Sequence, residues 1–231
     1  MIQKKLLTEI KPNISKAVFF AKRQLAELVC DAVNLEGIAY TLPEVQTLLD
    51  GVTVGGHKIS DQMITLNQAQ AWKWLFQSVL SGNFEISKDF VLQLHAISAK
   101  EEALEWGCFR NGRVMISGTE YLPPEPAKLD NLWFEVVHSI SAVDNIVNRA
   151  IYLFLYMARY QFFYDVNKRT ARFMMNGILL SNGYPVINVP AKRAAEFNSL
   201  MLEYYDSGDF SDMLDFMISC YDPILLEIMA E

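Results

Sequence analysis

The chain has 231 residues, enough for one large domain or two small ones whose core needs neither disulfides nor metals. At 52% hydrophobic and 20% charged, it carries too much apolar side chain to stay disordered in water. A net charge of -7 leaves no domain-wide basic footprint, which argues against general nucleic-acid binding. Cys30, Cys108 and Cys220 are odd in number, far apart and free of CxxC spacing, so neither a disulfide framework nor a zinc site is expected, and a reducing, cytoplasmic compartment is. The N-terminus lacks an apolar signal core, and the longest greasy run, Ala150 to Met157, is too short for a membrane span.

From Ile14 to about Leu35 apolar residues recur at helical spacing (Val18, Leu25, Leu28, Val29, Val33), which predicts one long amphipathic helix capped by Asn13 or Ser15, with Gly37 beyond its end. Thr41-Leu-Pro-Glu44 is a capping box with proline in the first turn and starts a short helix that stops at Gly51. The segment 51–60 reads as a loop with one brief strand, and Ser60 then caps a helix carrying Met63, Trp72, Leu75, Phe76 and Val79. A further helix follows Ser87. Between Trp106 and Gly118 the pattern changes, because Asn111-Gly112 separates short apolar stretches as a β-hairpin requires. After the Pro123-Pro124-Glu125-Pro126 turn, two apolar helices run from about Ala127 to Ser141 and from Asp144 to Tyr160. The second is hydrophobic nearly all round and is expected to be central. A polar stretch from Tyr164 to Arg169 breaks the pattern before a helix through Phe173, Met174, Ile178 and Leu179 that ends at Asn182-Gly183. Helices over about 191–205 and 210–220, and a terminal turn after Pro223, complete an all-α, mainly helical reading with one short β-hairpin.

The polar break is where chemistry is expected. If Asp165, Asn167, Lys168, Arg169 and Arg172 form a tight turn opening a helix, the unpartnered backbone N–H groups and the positive end of the dipole favour phosphate oxygens there. Arg169 and Arg172 share a helix face, so both guanidinium groups can converge on one polyphosphate with forked hydrogen bonds. Asp165 supplies a hard oxygen suited to Mg²⁺ carried in with the phosphates. A basic helix start is ordinarily a solvated face. This one lies between two of the most hydrophobic helices, where unpaired charge is costly unless a ligand or partner neutralises it. His95 and His138 read as hydrogen-bonded core residues and His57 as an exposed loop residue, while Trp72 and Trp74, on different sides of one helix, read as packing.

The stretch Gln161-Phe-Phe-Tyr-Asp-Val-Asn-Lys-Arg-Thr-Ala-Arg172 resembles the signature of Fic-domain proteins, H-P-F-x-[DE]-G-N-[GK]-R-x-x-R, with Phe163, Asp165, Asn167, Arg169 and Arg172 in register. Upstream, the hairpin through Val114, Met115 and Ile116 resembles the Fic flap that lies over the site and aligns a target side chain. Farther upstream, Ala32 to Gly37 is similar to the inhibitory segment [ST]-x-x-x-E-[GN], with Glu36 at the glutamate. The resemblance implies a Fic-like core over about residues 85–205, an N-terminal helical region over 1–84 whose inhibitory helix covers about 14–36, and C-terminal helices over 206–231 packed on the core. It further implies AMP transfer from Mg-ATP, or another nucleoside triphosphate, to a hydroxyl of a protein target, with pyrophosphate leaving.

By position, Asp165 would bind Mg²⁺, Asn167, Lys168 and Arg169 would hold the phosphates, and Arg172 would grip the γ-phosphate unless Glu36 occupies it. The departures are as informative. Gln161 stands where the family has its catalytic histidine, Phe162 where it has proline, Val166 where it has glycine, and Ala32 where it has Ser or Thr. A carboxamide is no base near neutral pH, and losing a positioned general base costs about 10²- to 10⁴-fold in rate. Val166 is expected to crowd the anion nest. Two functions follow: a nucleotidyltransferase weakened at Gln161 and restrained by Glu36, or a catalytically silent nucleotide- or phosphate-binding or protein-interaction module. A homodimer is left open, and neither a nucleic acid nor a membrane is expected as partner.

Overall fold

Local chemistry starts the helices where the sequence marks them. In the computed structural model, which describes residues 2–231, Asn13 is extended and its side chain accepts the Lys16 N–H, which starts a helix at Ile14. Glu44 accepts both the N–H and the hydroxyl of Thr41, closing the expected capping box. Ser87 and Asn145 cap their helices in the same way, through Phe90 N and Asn148 N. The elements are α1 (Ile2–Leu7), α2 (Ile14–Arg23), α3 (Leu25–Asn34), α4 (Leu42–Leu49), α5 (Ile59–Leu80), α6 (Lys88–Ser98), α7 (Leu129–Ser141), α8 (Ile146–Tyr160), α9 (Asn167–Ser181), α10 (Ala194–Ser207), α11 (Ser211–Ser219) and α12 (Pro223–Ala230), with 3₁₀ turns at Pro126–Lys128 and Ala191–Arg193.

The core is built on α8 and α9, joined by residues 161–166 and packed along each other. From Asn167 to Leu180 every α9 side chain is buried except Lys168, so the helix is walled in by α5, α6 and α8. On the α5 side lies α3, which brings the following turn, with Glu36, up to the start of α9. α7 covers α8, while α10 and α11 pack together with α11 touching α8.

Four expectations change. The single helix over 14–35 is two, because Gln24 leaves helical geometry at φ -91° and ψ 4°; neither Pro nor Gly marks that break in the sequence. α5 opens at Ile59, with Lys58 and not Ser60 as its cap. The Pro223 turn is an eight-residue helix, with Asp222 accepting from Ile224 N. No strand forms among the described residues, either in the 51–60 loop or at the expected hairpin. There, neither Asn111 nor Gly112 takes the positive φ that a two-residue primed turn needs. Gly112 instead lets Tyr164 approach, since a Cβ there would lie 2.6 Å from Tyr164 Oη, and the Asn111 side chain accepts the Tyr164 hydroxyl at 2.6 Å. The Asn-Gly pair is thus a docking point for the motif loop.

Gly183 shows how tightly α9 is tied to α2. It has φ +75°, its carbonyl accepts Asn13 N–H at 3.0 Å, and a Cβ would lie 2.4 Å from that nitrogen. Gly183→Ala meets both the left-handed penalty and a backbone clash, so it should lower unfolding free energy by roughly 2–4 kcal/mol, read as a lower urea midpoint at unchanged slope.

Candidate functional site

The turn between α8 and α9 is assembled from two left-handed residues and one asparagine. Gln161 closes α8 at φ 50° and Val166 opens α9 at φ 59°, both unusual for residues with a Cβ. Asn167 binds the loop from inside: its Oδ1 accepts Phe163 N–H at 2.9 Å, and its Nδ2 donates to Phe163 O at 2.8 Å and to Gln161 Oε1 at 2.9 Å. The Asn167 side chain is therefore committed to the turn, and only its backbone N–H, with those of Lys168 and Arg169, is left without an intrahelical acceptor. Asp165 Oδ1 accepts Val166 N–H at 2.7 Å.

Val166 does not crowd the nest. Its side chain is 3% exposed and packs on Ala99 and Ala103 at the end of α6, away from the helix start. That burial offsets the roughly 1–2 kcal/mol that left-handed geometry costs a β-branched residue.

Glu36 reaches the same place from the α3 side. Gly37, at φ +83°, closes the turn that carries it, and Asn34 Nδ2 pins the outgoing chain through Tyr40 O at 2.8 Å. Glu36 Oε2 lies 3.8 Å from Lys168 Nζ, and Oε1 lies 4.0 Å from Arg169 Nε and 3.6 Å from Arg172 Nη2. None of these is a hydrogen bond. Arg169 Nε and Arg172 Nη2 are buried donors with no partner, aimed at one carboxylate oxygen. Burial acts to raise the Glu36 pKa, but the charges of Lys168, Arg169 and Arg172 outweigh it and hold the carboxyl below its ordinary range. Burial, helped by Arg169, pulls the Arg172 guanidinium down to about 10 against the opposing pull of Glu36.

A cavity of about 560 Å³ opens onto the Glu36 and Lys168 side of this cluster, lined also by Met115, Ile116, Gln161 and Asp165, whereas Arg169 and Arg172 line a separate small pocket with Leu28, Ala32 and Trp72. The expected flap segment thus borders the cavity through Met115 and Ile116 without forming a hairpin, and Val114 is not part of the lining. Gln161 is held down: Nε2 donates to Ala158 O at 2.6 Å while Oε1 accepts from Asn167.

Two residues here carried no sequence signal. Glu102, after α6, takes both Nη atoms of Arg169, one at 2.8 Å, so the two arginines do not form a matched fork. Arg110, 2% exposed, donates to the carbonyls of Gln161, Gly112 and Pro124 at 2.5, 2.8 and 2.5 Å, and its own N–H goes to Phe162 O at 2.9 Å. Glu102 meets Arg169, and Arg110 meets Gln161 and Phe162, across dozens of positions, which no local spacing records.

The histidines divide. His95 is a core residue as expected: it stacks on Phe163, Nδ1 accepts Gly107 N–H at 3.1 Å, and Nε2 lies 3.3 Å from Asp165 O. Burial pushes its pKa down to about 4, so it is the neutral Nε2–H tautomer that holds the loop. His138 is exposed, not core. His57 is not free in a loop, since it stacks on Tyr40 and meets Glu44 at 3.2 Å.

Residues 85–179 match the Fic/DOC family. That stretch takes in the turn between α8 and α9. Protein adenylyltransferase Fic of Drosophila persimilis is 28% identical over 202 residues, which are 84% of this chain and 39% of that protein, so the chain spans about two fifths of such relatives. The Fic fold also extends beyond the matched residues. Fic-1 from C. elegans superposes with a TM-score of 0.77 at 20% identity over all of this chain and 69% of the other. A Fic domain-containing signalling protein from Bacteroides thetaiotaomicron gives 0.77 at 18% identity, covering 100% and 97%. No helix among the described residues is long and apolar enough to cross a membrane.

Proposed function

We propose that the 560 Å³ cavity of this Fic domain is a nucleotide-phosphate site closed by Glu36, and that the chain is a protein adenylyltransferase weakened at Gln161. The observation that carries the reading is the pair of buried, unpartnered donors, Arg169 Nε and Arg172 Nη2, converging on the Glu36 carboxylate. Buried polar groups are rarely left unbonded, so the arrangement fits a site whose other occupant is an oxyanion.

The residues fit the group. Donors at a helix start, Lys168 and the two arginines suit phosphate oxygens, and Asp165, exposed at the cavity wall with one carboxylate oxygen outside its backbone contact, suits Mg²⁺ held mainly by phosphates and water. Bound Mg²⁺ would supply charge neutralisation on the departing pyrophosphate. Met115 and Ile116 would line up a target segment beside Gln161. The family's proton-taking atom is missing there, and the Gln161 amide, bonded at both ends, cannot replace it. That bonding also favours the second reading, a silent phosphate-binding module.

Mg-ATP titrated calorimetrically into wild type and Glu36→Gly tests the site: binding to wild type should be weak and at least about tenfold tighter in the variant. Equal affinities would remove Glu36 from the site's control. A cytoplasmic location, a homodimer and a separate protein target belong to the same reading.

A further inference from the structure

Arg169 is one of the groups expected to meet a phosphate, yet its forked edge is already taken. Nη1 donates to Glu102 Oε2 at 2.8 Å and Nη2 to Oε1, while the arginine side chain is 4% exposed and the glutamate 14%. A two-point guanidinium–carboxylate pair of this burial is among the strongest side-chain contacts. Neither Glu102 nor Arg169 lines the 560 Å³ cavity, and Glu102 holds Arg169 from the side of α6.

The backbone that presents Glu102 is itself strained. Glu101 has φ 60°, and the turn is fixed by Glu102 N and Ala103 N donating to Ala99 O and by Asn67 Nδ2 donating to Lys100 O at 2.8 Å. Such strain persists only where surrounding structure over-determines it. What remains to Arg169 on the Glu36 side is Nε alone.

We infer that Glu102 is a specificity-determining residue: by occupying the Nη fork of Arg169 it limits the cradle to one oxyanion held between Arg169 Nε and Arg172 Nη2, and so restrains its grip on a polyphosphate chain. The inference rests on the phosphate reading of the site. Displacing Glu36 alone then exposes two N–H donors, whereas freeing Glu102 as well releases a complete guanidinium fork.

The test uses orthophosphate and tripolyphosphate, each with Mg²⁺, titrated into Glu36→Gly, into the double variant Glu36→Gly, Glu102→Gln, and into the control Glu36→Gly, Glu101→Gln, which removes the same charge one residue away. Glu36→Gly should show little preference between the two probes. The Glu102 double variant should gain about tenfold or more for tripolyphosphate and far less for orthophosphate, the size of one added charged hydrogen-bond pair. An equal gain in the Glu101 control, no gain, or a loss overturns the inference and leaves the phosphate reading standing. Absence of binding by every variant overturns both. Should the double variant not fold, Glu36→Gln with Glu102→Gln keeps both side-chain volumes and is read the same way, with the ligand-induced rise in Tm as second readout.

Discussion

Glu36→Gly combined with Gln161→His should transfer labelled AMP from Mg²⁺ and α-labelled ATP about 10²- to 10⁴-fold faster than Glu36→Gly alone. The imidazole would take the place of an amide that now only ties Ala158 O to Asn167, at a position on the cavity wall next to Asp165 and Lys168. The left-handed backbone of Gln161 is held by Arg110 through its carbonyl, so the side chain's point of departure should survive the change. Gln161→His with Glu36 intact should label poorly, since the arginine donors stay covered. Label on wild type at the rate of the double variant would show that Gln161 does not impair the chemistry. Lack of label in every form, with ATP bound, would favour the silent module.

The second large effect is on stability. Removing the Glu36 carboxylate leaves Arg172 and the Nε edge of Arg169 without their counter-charge, and breaking buried pairs costs several kcal/mol. Glu36 is 22% exposed and makes no hydrogen bond to them, so a smaller loss of about 1–3 kcal/mol is expected in urea unfolding of Glu36→Gly at neutral pH. Added phosphate should recover part of it, because an anion that binds only the folded form stabilises by mass action. The pH dependence has a definite sign. A carboxyl whose folded pKa is depressed contributes stability above its unfolded pKa and loses it as pH falls through the folded value. Wild type should therefore lose stability on acidification below the ordinary carboxylate range more steeply than Glu36→Gly. Parallel curves for the two proteins would mean that the carboxylate is not held by those cations.

Legibility in the sequence followed the range of the interactions. Caps and periodicity are local, so Asn13, Thr41 with Glu44, Ser87 and the ends of α8 and α9 could be placed to within a few residues. The motif's register also placed Arg169, Arg172 and Asp165 around one helix start, and Glu36 with Gly37 at the turn that reaches it. What escaped is what depends on a partner far along the chain. Asn111-Gly112 has the composition of a hairpin turn, but Tyr164 decides its conformation. Val166 breaks the glycine preference of a left-handed site because Ala99 and Ala103 leave room for its side chain. Glu102 and Arg110 are a charged residue beside another and an arginine in a loop until the fold brings them to Arg169 and to the carbonyls of the motif turn.

Arg110 has a consequence for solvent access over time. Residues 106–125 lack regular helix or strand, and such segments ordinarily trade their amide protons with water quickly. Here one guanidinium joins the carbonyls of Gly112, Pro124 and Gln161 and the Arg110 amide is spent on Phe162, so deuterium should enter that amide on the clock of α8 and α9, while Met115, 85% exposed, should label within seconds. The segment would then show two clocks, slow at the root that holds the Gln161 turn and fast at its Met115 tip.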